Sequence, residues 1–276
     1  MPSYVCKLFY LGDNYHGSQW QSGPRTVQGE LISALKEMTH NDYTPSNVLF
    51  SGRTDRGVHS LGQIVMFSTE KPLNIDKVNR YLPEDILLWA SIQAPEKFVP
   101  RYDVLMRHYR YYLNTEKLDL DINRIRLAAA LLTGTNDFRL ISKPDGNRGT
   151  SATILNIFAN QRDGVLVLDV HGASFLWRLV RKMTTLLTKV GTGELPVQVV
   201  DDLLAGKKVI AGGIQPANPD CLFLVDAVVP FKLKSSKNAL SKVQKILKSR
   251  LAFYHRSTMV LNSISKDFIS GAMQPF

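Results

Sequence analysis

Apolar and polar positions alternate along the first hundred residues in a way that predicts four strands separated by two helices. The strand-like runs are rich in Val, Ile, Leu, Phe and Tyr and lie at about residues 3–11, 48–51, 61–68 and 86–94. Helical periodicity covers about residues 26–38, where Thr26 is a candidate N-cap, and about residues 75–82, where Pro83 follows. The order β-α-β-β-α-β is that of the split β-α-β or ferredoxin-like arrangement.

The same order begins again after Pro100. Strands are predicted at about residues 107–114, 153–160, 164–171 and 221–228, and helices at about residues 121–132, 174–190 and 197–204. Asp163 and Gly164 form a hairpin turn signal between two of these strands. We therefore expect an α+β fold of two ferredoxin-like lobes side by side, residues 1–102 and 103–230. A sheet-floored central cleft between the lobes is where we expect a functional site.

The composition of the 276 residues, 44% hydrophobic and 21% charged, is typical of a globular protein and does not favour disorder. Cys6 and Cys221 are far apart and lie in apolar runs, so we expect buried side chains rather than a disulfide or a zinc site. The N-terminus has no signal-peptide pattern, and no run approaches the roughly 18 apolar residues of a membrane span. The sequence thus predicts a cytoplasmic protein without a membrane partner.

Positive charge is concentrated towards the C-terminal end. The formal net charge is +10, and residues 229–276 hold nine Lys and Arg against one Asp, so this stretch alone carries +8. Such an excess favours polyanionic partners or anionic membranes. Residues 236–251 have the pattern of an amphipathic helix, with leucine and valine on one side and lysine mostly on the other. Residues 231–276 are therefore predicted to form a basic helical tail.

The most unusual stretch is the string SGRTDRGVH at 51–59, between two predicted strands. Its glycines permit tight backbone turns, and its single carboxylate, Asp55, stands between Arg53 and Arg56. Flanking cations favour an ionised carboxylate, which suits a nucleophile or a base. On spacing alone, the better interpretation is a polar β-turn in which Asp55 caps backbone amides and the arginines are solvated.

The string GRTDRGVH at 52–59 resembles the signature of the TruA family of tRNA pseudouridine synthases. Further blocks resemble the same family in the same order, namely YLGDNYHG at 10–17, GQ at 62–63, FVPR at 98–101, RHYRY at 107–111 and the stretch 175–191. The family commonly has alanine after the aspartate, where this chain has Arg56. The resemblance thus covers most of the chain before the basic tail.

This resemblance implies roles for individual residues. Asp55 would be the catalytic nucleophile, Tyr109 would pack against the target uracil, and Arg181 would pair with Asp55. Arg53 and Arg56 are candidates for filling the space that a flipped nucleotide leaves, or for holding its phosphate. Without the resemblance, Tyr109 would be interpreted as a cross-strand aromatic residue and Arg181 as a solvated position on an amphipathic helix.

The resemblance also implies an activity, the isomerisation of uridine to pseudouridine at positions 38 to 40 of the tRNA anticodon arm. It implies no cofactor or metal, and a homodimer that binds one tRNA across both subunits. The sequence leaves open whether Asp55 acts on the ribose, acts on the base or accepts a proton. It also leaves open a synthase that modifies other tRNA or RNA uridines, and a non-catalytic RNA-binding or RNA-folding protein.

Beside an RNA-modifying core, the basic tail is expected to contact tRNA phosphates. Three other interpretations stay open. The tail could lie on an anionic membrane, bind the groove of a partner protein, or pack its apolar face on the body with its lysines simply solvated.

Overall fold

A computed structural model describes residues 1–146 and 149–269 of the chain. Within these residues the fold is mixed α/β, with one ten-stranded mixed sheet and a long C-terminal helix. Residues 270–276 of the predicted basic tail lie outside the described residues.

The N-terminal half contains the predicted elements in the predicted order. They are β1 (Ser3–Tyr10), α1 (Val27–Thr39), β2 (Leu49–Phe50), β3 (His59–Ser68), α2 (Ile75–Val78) and β4 (Ile86–Gln93). The strands lie in the order β4-β1-β3-β2, and all neighbours are antiparallel. Thr26 caps α1, since its hydroxyl accepts from the Gly29 N–H at 3.2 Å. Helix α2 is shorter than predicted because residues 79–81 continue as turns, in which the N–H groups of residues 80 and 81 donate to carbonyls three residues back. The Asn79 side chain bonds both backbone groups of Leu88 on β4.

The C-terminal half repeats this strand order with additions. Its elements are α3 (Pro100–Asp103), β5 (Met106–Asn114), α4 (Ile122–Leu131), β6 (Gly134–Asp137), β7 (Ser151–Arg162), β8 (Val165–Gly172), α5 (Leu179–Gly191), α6 (Val199–Leu204) and β9 (Leu222–Val228). The strands lie in the order β9-β5-β8-β7-β6. The short elements α3 and β6 are absent from the sequence-based prediction.

The start of α5 differs most from the prediction. The helix was expected from residue 174, but it begins at Leu179 because the segment before it makes its hydrogen bonds elsewhere. The Ala173 N–H donates to a β7 carbonyl at 3.0 Å, and the carbonyl of Trp177 accepts from the Lys143 N–H at 2.8 Å. Arg178 then adopts a left-handed conformation (φ 62°). Phe175 and Leu176 therefore lie in a loop rather than on the apolar face of a helix.

A short parallel pairing joins the two halves of the sheet. His59 and Ser60 of β3 pair with Phe223 and Leu224 of β9. Lys7 on β1 reaches across β3, where it forms an ion pair with Asp226 of β9. On either side of this seam each half has its own apolar core, one around α1 and the other around α4 and α5.

The chain returns to the N-terminal half after β9. Strand β10 (Lys234–Ser235) pairs with β4, and α7 (Lys237–Ile269) follows. Ala239 and Val243 of α7 are buried on the body. From Leu247 onwards the apolar side chains of the helix are mostly exposed, and Leu251 is 68% exposed. The predicted helix over residues 236–251 is therefore present, but it continues for more than four turns beyond its packed part.

We expect Gly62→Ala to lower the free energy of unfolding by about 1–3 kcal/mol, because the seam has no room for a side chain there. A Cβ at Gly62 would lie 2.8 Å from the Cα of Asp226 and 2.8 Å from the Val225 carbonyl oxygen. Gly149→Ala is the control, since a Cβ there meets no atom of the described residues within 4 Å. Urea unfolding of both variants measures the difference, and equal midpoints would contradict the close approach of β3 and β9.

Candidate active site

The loop that carries Asp55 connects β2 to β3 and is fastened to the segment that follows β1. The Thr54 N–H donates to the Ser18 hydroxyl at 2.8 Å, and the Ser18 N–H donates to the Thr54 carbonyl at 3.1 Å. The Tyr10 and Thr54 hydroxyls share a hydrogen bond of 2.8 Å. Burial raises the pKa of Tyr10 to about 12, so the phenol is neutral at physiological pH. Thr54, next to Asp55, is therefore held from two sides.

Two glycines of the YLGDNYHG string allow this close approach. A Cβ at Gly12 would lie 2.2 Å from the Val58 carbonyl oxygen, and a Cβ at Gly17 would lie 2.8 Å from the Thr54 carbonyl oxygen. Gly17 also has a φ of 100°, which favours glycine. The Gly12 N–H donates to the Nδ1 of His59 at 2.9 Å. The stretch 10–17 and the loop 52–59, which both resemble the family, thus form one structural unit around Asp55.

Side chains from β3 and β5 fix the beginning of the loop. The buried Gln63 accepts from the Ser51 hydroxyl at 2.6 Å and donates to the Gly52 carbonyl at 2.9 Å. Arg107 donates to the Ser51 carbonyl at 2.6 Å, and it is also buried. Buried polar groups of this kind are fully hydrogen-bonded, so they hold the backbone in one position.

The Asp55 carboxylate receives both of its side-chain hydrogen bonds from the C-terminal half. Its Oδ2 accepts from the Arg181 Nη1 at 2.6 Å, and its Oδ1 accepts from the Trp177 Nε1 at 2.9 Å. The Arg181 and Asp55 side chains are only 11% and 18% exposed. The Arg181 Nε also donates to the Ala217 carbonyl at 2.6 Å, so the guanidinium is locked in place. A charge-assisted pair in such a setting fixes the orientation of the carboxylate.

Tyr109 lies on β5, within electrostatic range of Asp55, and is almost fully buried. Its ring packs edge-to-face against Phe175 with the ring centroids 5.0 Å apart. Burial raises the pKa of the Tyr109 phenol, with the charge of Arg107 opposing the shift and the charge of Asp55 adding to it. Tyr109 is therefore a neutral aromatic group at one side of the Asp55 carboxylate.

Arg53 and Arg56 are exposed and make no hydrogen bond or ion pair with Asp55 within the described ranges 1–146 and 149–269. Arg53 instead pairs with Asp145 at 3.1 Å. The cation at Asp55 is thus Arg181, which is distant in sequence, whereas the two sequence neighbours face solvent.

Sequence reasoning missed Trp177. It is 37% exposed, and the ammonium of Lys143 lies 3.9 Å from the centre of its ring. One sequence signal is its spacing of four from Arg181, which on a helix would place both side chains on one face. Burial, with a contribution from Arg178, lowers the pKa of the nearby Lys182. Several basic side chains thus lie on the C-terminal side of the site, namely Lys143, Arg178, Arg181 and Lys182.

In the part of the chain that the structure describes, no three His, Cys, Asp or Glu side chains lie close enough to hold a metal ion. No described helix is both long enough and apolar enough to cross a membrane.

Known proteins resemble the chain over most of its length. It is 38% identical over 231 residues to a tRNA pseudouridine synthase A of Methanococcoides burtonii, and the alignment covers 83% of each protein. It is 40% identical over 222 residues to that of Methanosarcina acetivorans, which covers 79% of this chain and 81% of the relative. The match to the enzyme of Methanothermobacter thermautotrophicus is 35% over 270 residues and covers 96% of each.

A solved structure of an archaeal box H/ACA sRNP complex resembles the chain at a TM-score of 0.37 and 10% identity. The match covers 82% of this chain and 48% of the other, so the chain spans about half the length of that protein. A similarity of this size carries no argument about function. Residues 128–230, however, match the family model of tRNA pseudouridine synthase. Together with the relatives above, this match shows that the chain belongs to the tRNA pseudouridine synthase A family, whose members are isomerases that convert uridine to pseudouridine.

Proposed function

We propose that Asp55 is the nucleophile of this enzyme and that its substrate is a uridine at positions 38 to 40 of the tRNA anticodon stem-loop. The observation that carries the proposal is the ion pair of Asp55 with Arg181, 2.6 Å long and largely shielded from solvent. A carboxylate needs to be an anion and to be fixed in direction before it can act on a nucleotide. Arg181 places an opposite charge against the carboxylate and fixes its direction.

The reaction breaks the bond between N1 of uracil and C1′ of ribose, rotates the base, and forms a bond between C5 and C1′. The proton on C5 leaves and N1 gains one, so no oxidant or reductant takes part. Asp55 can act on the ribose, act on the base or accept a proton, and the anionic form serves all three routes.

The uridine reaches Asp55 only after it leaves the RNA stack, which costs a few kcal/mol. Asp55 belongs to the N-terminal half and Arg181 to the C-terminal half, so the flipped base would reach the carboxylate where the two halves meet, with the ion pair intact. Tyr109 offers a neutral ring beside the carboxylate for the uracil to pack against. In this proposal the exposed Arg53 and Arg56 would fill the vacated stack or hold a phosphate.

The two-lobed architecture belongs to the same proposal. The strand order β4-β1-β3-β2 and its counterpart β9-β5-β8-β7 support two ferredoxin-like lobes with the site between them. The boundary at residue 102, the homodimer and the cytoplasmic location stay predictions.

We expect Asp55→Asn to lose activity on the order of 10³-fold or more, because the amide is neither an anion nor a nucleophile. Unmodified tRNA transcripts are incubated with the enzyme, and pseudouridine is mapped by carbodiimide and reverse-transcriptase stops. Asp163→Asn is the control, because it makes the same change in an exposed hairpin turn.

Two outcomes of this experiment would contradict the proposal. Wild-type rates in Asp55→Asn would mean that another group is the nucleophile. Product found only at uridines outside positions 38 to 40 would reject those positions as the target and favour other tRNA uridines.

We expect Arg181→Lys to reduce the single-turnover rate about 10-fold to 100-fold and Arg181→Met to reduce it further. Lysine cannot donate to Asp55 and to the Ala217 carbonyl in the geometry of a guanidinium, and methionine leaves the carboxylate without a cation. Arg162→Lys, at a 91% exposed side chain, is the control. An Arg181→Met enzyme as fast as wild type would show that the ion pair has no part in the reaction.

We also propose that the lysines of α7 bind tRNA phosphates. The first turns of α7 are packed through Ala239 and Val243, so deletion of the tail would remove buried residues together with the charges. The sharper change replaces four exposed lysines by glutamine, namely Lys237, Lys242, Lys245 and Lys248.

The quadruple variant should bind tRNA more weakly, and the slope of log K against log salt should become shallower by up to about 4. The control changes the same charge at four scattered exposed lysines, namely Lys71, Lys97, Lys117 and Lys208. Filter binding between 50 and 200 mM salt, about the range over which such contacts weaken most, measures both. Equal slopes for the two variants would reject phosphate binding by α7.

A further inference from the structure

The Asp55 carboxylate has two donors, and the ion pair accounts for only one of them. Arg181 holds Oδ2 at 2.6 Å, and the indole N–H of Trp177 holds Oδ1 at 2.9 Å. A carboxylate held at one oxygen can still turn about that contact. A second donor on the other oxygen fixes its plane, while each oxygen keeps a lone pair for a substrate.

The indole is itself held in place. The Lys143 N–H donates to the Trp177 carbonyl at 2.8 Å, and the Lys143 ammonium lies 3.9 Å from the ring centre. The guanidinium carbon of Arg178 lies 5.4 Å from the same ring centre. Cations at such distances are attracted to an indole ring.

The backbone next to Trp177 is shaped for this placement. Arg178 has a φ of 62° and ends the loop just before α5 begins at Leu179. Such a conformation is uncommon for a residue other than glycine and is often kept at functional sites. The left-handed conformation of Arg178 leaves Trp177 outside α5. The indole can therefore bond Oδ1 of Asp55, whereas Arg181, within α5, bonds Oδ2.

We infer that Trp177 is a positioning residue, whose indole N–H fixes the plane of the Asp55 carboxylate for its reaction with the uridine. The inference rests on the proposed role of Asp55 as the nucleophile. Trp177 acts through Asp55 and is not assigned a contact with the base, since Lys143 lies over its ring. Its loss should therefore slow the chemical step and leave tRNA binding unchanged.

Trp177→Phe tests this inference, because phenylalanine keeps an aromatic ring and removes the donor. Trp177→His is the rescue, since the five-membered ring of indole superimposes on imidazole with Nε1 on Nε2. Trp89→Phe is the matched control, because its indole N–H donates to the Leu61 carbonyl at 2.7 Å, outside the site. For each full-length variant we would measure the single-turnover rate at saturating tRNA transcript and the Kd for the same transcript.

Trp177→Phe should be slower by about 10-fold to 100-fold, the range that corresponds to one hydrogen bond to a charged group. Its Kd should change by less than about twofold, Trp177→His should recover part of the rate, and Trp89→Phe should match wild type. A wild-type rate in Trp177→Phe would overturn the inference. A weaker Kd with an unchanged rate at saturation would also overturn it, because the indole would then be a binding surface.

Asp55→Asn in the same assay separates this inference from the proposed function. If Asp55→Asn is active, the proposed nucleophile is wrong and the role of Trp177 fails with it. If Asp55→Asn is inactive and Trp177→Phe has the wild-type rate, only the inference about Trp177 is rejected.

Discussion

The site depends on the short parallel pairing of β3 with β9. His59 begins β3 directly after the Asp55 loop, and Phe223 opposite it belongs to the C-terminal half. This register sets how far the loop of one half stands from α5 of the other. Gly62 and the ion pair of Lys7 with Asp226 hold the same seam. Small changes at the seam would therefore move Asp55 relative to Arg181, although neither residue lies on it.

The ion pair of Asp55 and Arg181 is already formed in the protein without a bound RNA. Both side chains are largely removed from water, so their desolvation has to be offset by well-placed hydrogen bonds. The chain supplies these bonds through the Ala217 carbonyl on the guanidinium and through Trp177 on the carboxylate. The carboxylate is thereby oriented during folding, and little reorganisation of this pair is left for a later step.

Features that depend on local sequence could be predicted, and those that depend on distant contacts could not. The Thr26 cap and the turn at Asp163 and Gly164, where φ is 51° and 73°, follow from residues within a few positions. The start of α5 could not be predicted, because residues 173–177 bond to β7 and Lys143, which periodicity does not register. Trp177 was missed for the same reason. Arg181 was predicted only through the family resemblance, since its own helix would equally suit a solvated arginine.

The structure of the basic tail agrees with packing on the body and leaves phosphate binding possible, two interpretations that the sequence presented as alternatives. Its first turns pack on the body through Ala239 and Val243, as expected for a tail whose apolar face is buried against the sheet. The lysines of the same turns stay exposed, which leaves them available to a polyanion. Because the buried side of α7 packs on the body, the helix backbone that carries the exposed lysines is fixed with respect to the sheet. A rigid row can favour one orientation of tRNA, whereas a flexible basic tail would supply only non-specific attraction.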